Sequence, residues 1–202
     1  MFGGLEEKTR QMHAALGNNV ENDLSKIIVH KEISDSSRNT WVRFSEGTTE
    51  AELQNTITLI VSNIASLKDH LKKWCQTNNV SFQGESLIRS NRDVALVHDL
   101  WNSDKHGGLD RQPRSGIYPK IANLNKVLSM NSGTIPGSVT YFTMDPKTGE
   151  IVTGSSGSGK IEHKIIADVV DEQGTRVGDF EEICFNAASA WEALMIGSGV
   201  TF

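Results

Sequence analysis

The sequence predicts an α+β fold, in which an antiparallel helical lobe is followed by a small antiparallel β-meander and a C-terminal helix. Apolar residues recur every three or four positions in the first half of the chain, which is typical of helices that bury one face. Runs of β-branched residues separated by turn-forming residues dominate the second half. The periodicity changes at the linker 111–116. We therefore expect a helical lobe over 1–110 and a sheet with its final helix over 111–202, packed as one compact unit.

Helical spacing begins near the N-terminus, over 5–16, and a second stripe of apolar residues covers 20–28. A short extended segment is expected at 41–44. Thr49 and Glu52 then form a capping box, in which each side chain binds the other residue's backbone N–H group.

The clearest helix follows this capping box, because apolar residues recur from Leu53 to Trp74, and it should end near 78–79. A further helix is expected over 92–106, and Gly107 and Gly108, which follow it, should end it.

The second half begins with an ambiguous segment, 117–130, whose apolar positions fit a strand or a helix, and we favour a strand. Further strands are expected over 139–143, 150–153 and 161–170. The last element is a helix over 179–196, where Asp179 is the N-cap and Glu182 follows three residues later.

Composition excludes several classes of protein. No apolar run approaches the roughly 20 residues that a membrane span requires, and the first residues lack the pattern of a secretory signal. The cysteines Cys75 and Cys184 are far apart and form no metal-binding pair. We therefore expect a cytoplasmic protein with reduced core thiols and no membrane partner.

The charge is unevenly distributed along the chain. The net charge of the whole chain is −5, which argues against a protein coated in basic charge. The segment 89–126 nevertheless contains seven basic and four acidic residues. An anionic ligand would require such a local excess of positive charge, although a solvated surface would show it too.

The segment Gly154–Lys160 has the letters of a phosphate-binding P-loop. Such a loop requires Ser or Thr after the lysine and a helix behind it, whereas Ile161 and a β-branched run follow here. We interpret it as a Gly/Ser hairpin loop and expect no nucleotide there.

The helix 92–106 concentrates the groups that could carry chemistry. A helical wheel at about 100° per residue places Trp101 on the buried face and His98, Asn102 and Lys105 along its edge. His106 lies one step beyond. No Glu or Cys completes a ligand set beside these histidines, so we expect neither a metal nor a cofactor.

Arg92, Asp93 and His98 together resemble the motif of the HEPN superfamily, in which an arginine and a polar residue precede a histidine on a bundle helix. Asn102, Lys105 and His106 also resemble a signature of uncharacterised bacterial helical proteins. The resemblance covers about residues 50–108 and does not extend to the β-rich half.

The HEPN resemblance implies metal-independent RNA cleavage at the cleft of a homodimer, or RNA binding alone. His98 would take the proton of a ribose 2′-OH, Arg92 would stabilise the phosphorane, and Asp93 would orient one of them. Asn102, Lys105 and His106 would bind the neighbouring part of the substrate.

A structural interpretation explains the same residues. Cations in a last turn favour the helix dipole, and Gly107 is a common residue after a helix end. The alternative function is therefore a non-catalytic module for protein interaction or dimerisation. The sequence leaves open whether the protein is an enzyme. The arrangement of Arg92 and His98 distinguishes the HEPN-like function from the interaction module.

Overall fold

The computed structural model describes residues 4–17, 20–21, 28–33, 38–43, 49–109, 111–131, 135–145, 147–148 and 151–201. It shows the predicted α+β fold with a C-terminal helix. The helices are α1 (Leu5–Gly17), α2 (Glu50–Asn78), α3 (Gly84–Ser90), α4 (Arg92–His106) and α5 (Phe180–Gly197). The strands are β1 (Val20–Glu21), β2 (Ile28–Ile33), β3 (Arg38–Arg43), β4 (Lys120–Asn131), β5 (Val139–Met144), β6 (Ile151–Ser156), β7 (Lys160–Val170) and β8 (Arg176–Asp179).

Backbone contacts divide the chain into two units. One unit comprises residues 1–18, 54–124 and 166–202, and the other comprises 19–53 and 125–165. This division differs from a single boundary at residue 110, because α5 packs on α4 and shares the core of the other helices. The fully buried side chains of this core include Met12, Leu67, Leu71, Leu96, Trp191 and Met195.

Local capping sets the ends of three helices. The predicted capping box is present, since Thr49 N–H donates to Glu52 Oε2 at 2.7 Å and Glu52 N–H donates to Thr49 Oγ1 at 3.2 Å. The Asp179 side chain accepts from Glu182 N–H at 3.0 Å, which confirms the predicted start of α5. The Asn91 side chain caps α4, and Gly107 ends that helix at a φ of 68°, where glycine carries no Cβ penalty.

The strands pair antiparallel, as predicted, and in the described part of the chain they form more than one sheet. β7 is hydrogen-bonded to β1, β4 and β8, whereas β5 and β6 form a separate two-stranded sheet. β8, which the sequence did not indicate, pairs antiparallel with β7, with Asp168 opposite Asp179. The segment 117–130, which fits a strand or a helix in the sequence, is a strand from Lys120 onwards, as expected.

The prediction of a helix over 20–28 is wrong for the residues of that segment that the structure describes. Val20 and Glu21 pair antiparallel with β7, and Ile28 begins β2, which pairs antiparallel with β3. Residues 22–27 lie outside the described part of the chain, as does Phe44 at the end of the predicted extended segment. The error arises because β-branched residues at this spacing satisfy either periodicity over so short a segment.

Two other sequence expectations can be compared with the backbone. The segment Gly154–Lys160 ends β6, turns at residues 157–158 and leads into a strand rather than a helix. Cys75 and Cys184 are buried and unpaired by disulfide, as expected, and burial raises the pKa of each thiol. Among the described residues, no helix is both long and apolar enough to cross a membrane.

Candidate functional site

The histidine of the predicted motif, His98, lies in the core rather than at the edge of α4. Only 5% of its surface is exposed, whereas Trp101, expected on the buried face, is only partly buried. The correction has a simple cause: α5 covers the His98 side of α4, and the His98 ring packs on Trp191 with the ring centroids 6.0 Å apart. Almost none of the imidazole is therefore open to a ribose.

Burial also determines the charge of His98. It lowers the pKa of His98 from an ordinary value of 6.5 to about 4, and the nearby cations Arg114 and Lys68 act in the same direction. Glu85 opposes them to a smaller extent. His98 is therefore neutral near pH 7, and its Nε2 atom has no hydrogen-bond partner among the described residues.

The other two residues of the motif point to separate partners. The exposed Arg92 donates to the Val177 carbonyl oxygen at 3.3 Å, and the Asn186 amide donates to the Asp93 carboxylate at 2.9 Å. His98 follows Arg92 by six positions, which places the two residues about 120° apart on a regular helix. The structure thus brings Arg92, Asp93 and His98 to no common cleft, and two of them bind α4 to β8 and α5.

The neighbouring acid, Asp99, was not singled out by the sequence and is only 2% exposed. Its carboxylate accepts from Arg114 N–H at 3.1 Å, from Ser115 N–H at 2.7 Å and from the Ser115 hydroxyl at 2.7 Å. A buried carboxylate requires such donors. The signal in the sequence is an acidic residue within an apolar stretch of α4. In the structure, Asp99 fixes the loop 111–116 against this helix.

This loop and α4 enclose a cavity of about 360 Å³, which we call the arginine pocket. Its polar lining consists of Asp99, Asn102, His106, Arg111, Gln112 and Arg114. Two predicted substrate-binding residues, Asn102 and His106, therefore lie together in one cavity. The third, Lys105, is exposed and does not line it. The sequence predicts a linker over 111–116 and places Arg111 and Arg114 in the segment with excess positive charge, and both arginines line this cavity.

Charge in the arginine pocket is predominantly positive. Its one carboxylate, Asp99, is already engaged by three donors of the loop. Arg114 lies 3.6 Å from Glu85, which Lys68 also contacts at 2.5 Å, and these cations lower the pKa of Glu85. Arg111 makes no ion pair with any residue that the structure describes, while its neighbour Asp110 lies outside those residues. The pocket is thus suited to an anion.

Comparison with protein-family models, with curated proteins and with solved structures gave no match. The resemblance to the HEPN superfamily therefore depends on the sequence pattern of α4 alone and stays a prediction.

Proposed function

We propose that the protein binds RNA through its phosphate groups at the arginine pocket, without using His98 as a catalytic base. The observation that carries this proposal is that Asn102 and His106 line one cavity with Arg111 and Arg114. These residue types supply what a phosphate diester needs, namely planar guanidinium donors for the charge and further N–H donors for the remaining oxygens.

The burial of His98 favours binding over cleavage. A general base has to lie within hydrogen-bond distance of the proton that it removes. His98 is 95% covered and packs on Trp191, and Arg92 points to a backbone carbonyl on β8. The HEPN resemblance also accommodates non-catalytic members, so a HEPN-like RNA-binding protein is the hypothesis most consistent with this geometry.

The proposal is tested by fluorescence anisotropy with a labelled single-stranded RNA in a titration of salt. The double variant Arg111→Gln, Arg114→Gln should bind the RNA at least about tenfold more weakly near 0.1 M salt. The slope of the logarithm of its binding constant against the logarithm of the salt concentration should be shallower by about one to two. Arg10→Gln is the matched control, since Arg10 is an exposed arginine of α1 that pairs with Glu7 outside the pocket.

Two results would overturn the proposal: absence of salt-dependent RNA affinity in the parent protein, or equal affinity of the parent and the double variant. Cleavage is followed on the same RNA in the presence of EDTA. Metal-independent cleavage that His98→Ala abolishes at an equal folded fraction would restore the catalytic role that the HEPN resemblance implies.

A second candidate function, a non-catalytic module that dimerises, is favoured by the outer face of α5. Phe185 and Ile196 are 64% and 63% exposed, and they lie about 20° apart around the helix and about 16 Å apart along it. Two copies of α5 packed antiparallel would bring Phe185 of one copy against Ile196 of the other, which is the self-complementary arrangement of a twofold dimer. Glu192 lies between them and is paired with His13.

Light scattering after size exclusion tests this second candidate. The parent protein should be dimeric at micromolar concentration, and the double variant Phe185→Ser, Ile196→Ser should be monomeric and still folded. Leu59→Ser, at an exposed leucine of α2, is the control. A monomeric parent protein would reject dimerisation through α5.

A further inference from the structure

A second cavity, of about 250 Å³, lies beside α4 and is lined by a partly buried tryptophan. We call it the Trp101 pocket. Its apolar lining includes Ile57 of α2, Leu100 and Trp101 of α4, and Ile121 of β4. Ile57 and Leu100 belong to the core, so buried apolar side chains form part of the cavity wall. A cavity smaller than the usual range for drug-sized ligands suits a small flat group.

Two charged side chains complete the lining of the Trp101 pocket. Asp104 comes from the C-terminal half of α4, and Lys120 begins β4. Both are exposed, and neither is in an ion pair with any residue that the structure describes. An ionised carboxylate only accepts hydrogen bonds and an ammonium only donates them, so the pair offers an acceptor and a donor to one ligand.

We propose, on the basis of the RNA-binding function above, that the Trp101 pocket binds a guanine base of the RNA. A guanine ring can stack on the indole face, as bases do on aromatic side chains of single-strand binding proteins. Its Watson–Crick edge carries two N–H donors beside the carbonyl oxygen O6. The donors match the Asp104 carboxylate, and O6 matches the Lys120 ammonium. Adenine lacks this order of donors and acceptor.

The two pockets occur on one helix, which allows one RNA strand to use both. Asn102 and His106 line the arginine pocket, whereas Trp101 and Asp104, at neighbouring positions of α4, line the Trp101 pocket. An α-helix with its side chains is about 10–12 Å wide, a span that a few nucleotides of single-stranded RNA can cover. In this arrangement the arginine pocket supplies affinity for phosphate, and the Trp101 pocket supplies the preference for a base.

The experiment compares two labelled heptamers, U7 and the same RNA with a central guanine, by anisotropy at fixed salt. The parent protein should bind the guanine-containing RNA roughly tenfold more tightly. Trp101→Leu and Asp104→Asn should each bring the two affinities close together. Trp74→Leu, at a partly buried tryptophan of α2 that lines a different cavity, should keep the preference.

The outcomes separate this inference from the proposed function. If the parent protein binds both heptamers equally, or if Asp104→Asn keeps the preference, the guanine site is wrong while RNA binding stands. Asp104 is exposed, so that variant stays informative even if Trp101→Leu does not fold. If neither heptamer binds, equilibrium dialysis with guanosine decides: binding that Asp104→Asn abolishes supports the pocket, and no binding rejects it.

Discussion

His98 of α4 and Trp191 of α5 pack against each other in the core at an interplanar angle of 59°. Neither His98 Nε2 nor Trp191 Nε1 has a hydrogen-bond partner within the described part of the chain. Burial disfavours the charged form of the His98 imidazole, so the junction of α4 and α5 is sensitive to the protonation of His98. That sensitivity is measurable, and it is the main physical consequence of a histidine placed in the core.

We expect stability to fall as the pH is lowered from about 6.5 to about 4. The pKa of His98 is about 4 in the folded protein and has its ordinary value of 6.5 in the unfolded chain, so only the unfolded state binds a proton in this range. The stabilising contribution is complete above pH 6.5 and is lost towards pH 4, amounting to roughly 3 kcal/mol. Urea unfolding at pH 7.5, 6, 5 and 4 measures it.

The control for this pH dependence is His98→Phe, which keeps a ring beside Trp191 and removes the titrating group. Lys68 of α2, Glu85 of α3 and Arg114 of the loop face His98 and remain in both proteins. If the free energy of unfolding falls equally in the variant and in the parent protein between pH 6.5 and 4.5, His98 is not the source of the pH dependence.

Lys160 should contribute neither to stability nor to nucleotide binding. It is exposed at the start of β7, and one residue separates it from the turn at residues 157–158. We expect Lys160→Ala to change the free energy of unfolding by less than about 0.5 kcal/mol, as surface substitutions usually do. Thermal unfolding with and without Mg-ATP or Mg-GTP measures both effects. A stabilisation by nucleotide that the variant loses would contradict this prediction.

The sequence predicted the elements whose determinants are local. The capping box at Thr49 and Glu52, the cap at Asp179 and the stop at Gly107 each depend on residues within a few positions, and all three are found. α3 was missed because seven residues with only two consecutive large apolar positions, Leu87 and Ile88, give no periodicity.

The candidate site could be predicted only in part, because its geometry depends on distant segments. The wheel of α4 gave the directions of His98 and Trp101 but not which neighbour covers each of them. The residue that covers His98, Trp191, lies more than 90 positions further along the chain. Asp99 was missed for the same reason, since its donors Arg114 and Ser115 follow 15 and 16 positions later.

Asp99 should support both folding and RNA affinity, because it fixes the loop that carries Arg111 and Arg114. Asp99→Ala leaves the Arg114 and Ser115 N–H groups without their acceptor, which we expect to cost roughly 3 kcal/mol. Binding of RNA at an equal folded fraction should weaken too. Urea unfolding and anisotropy measure these effects, and Asp93→Ala, which loses a single bond to Asn186, is the control.

The two tryptophans of the α4–α5 region should differ in their effect on stability. Trp191 is 0% exposed, whereas Trp101 is only partly buried beside a cavity. We expect Trp191→Ala to lower the free energy of unfolding by about 3–5 kcal/mol and Trp101→Ala by about 1–3 kcal/mol. The comparison is made from the midpoints of urea unfolding at an unchanged m-value. An equal or larger loss for Trp101→Ala would restore the wheel-based prediction that Trp101 is a core residue, and it would remove the reason to regard its pocket as a binding site.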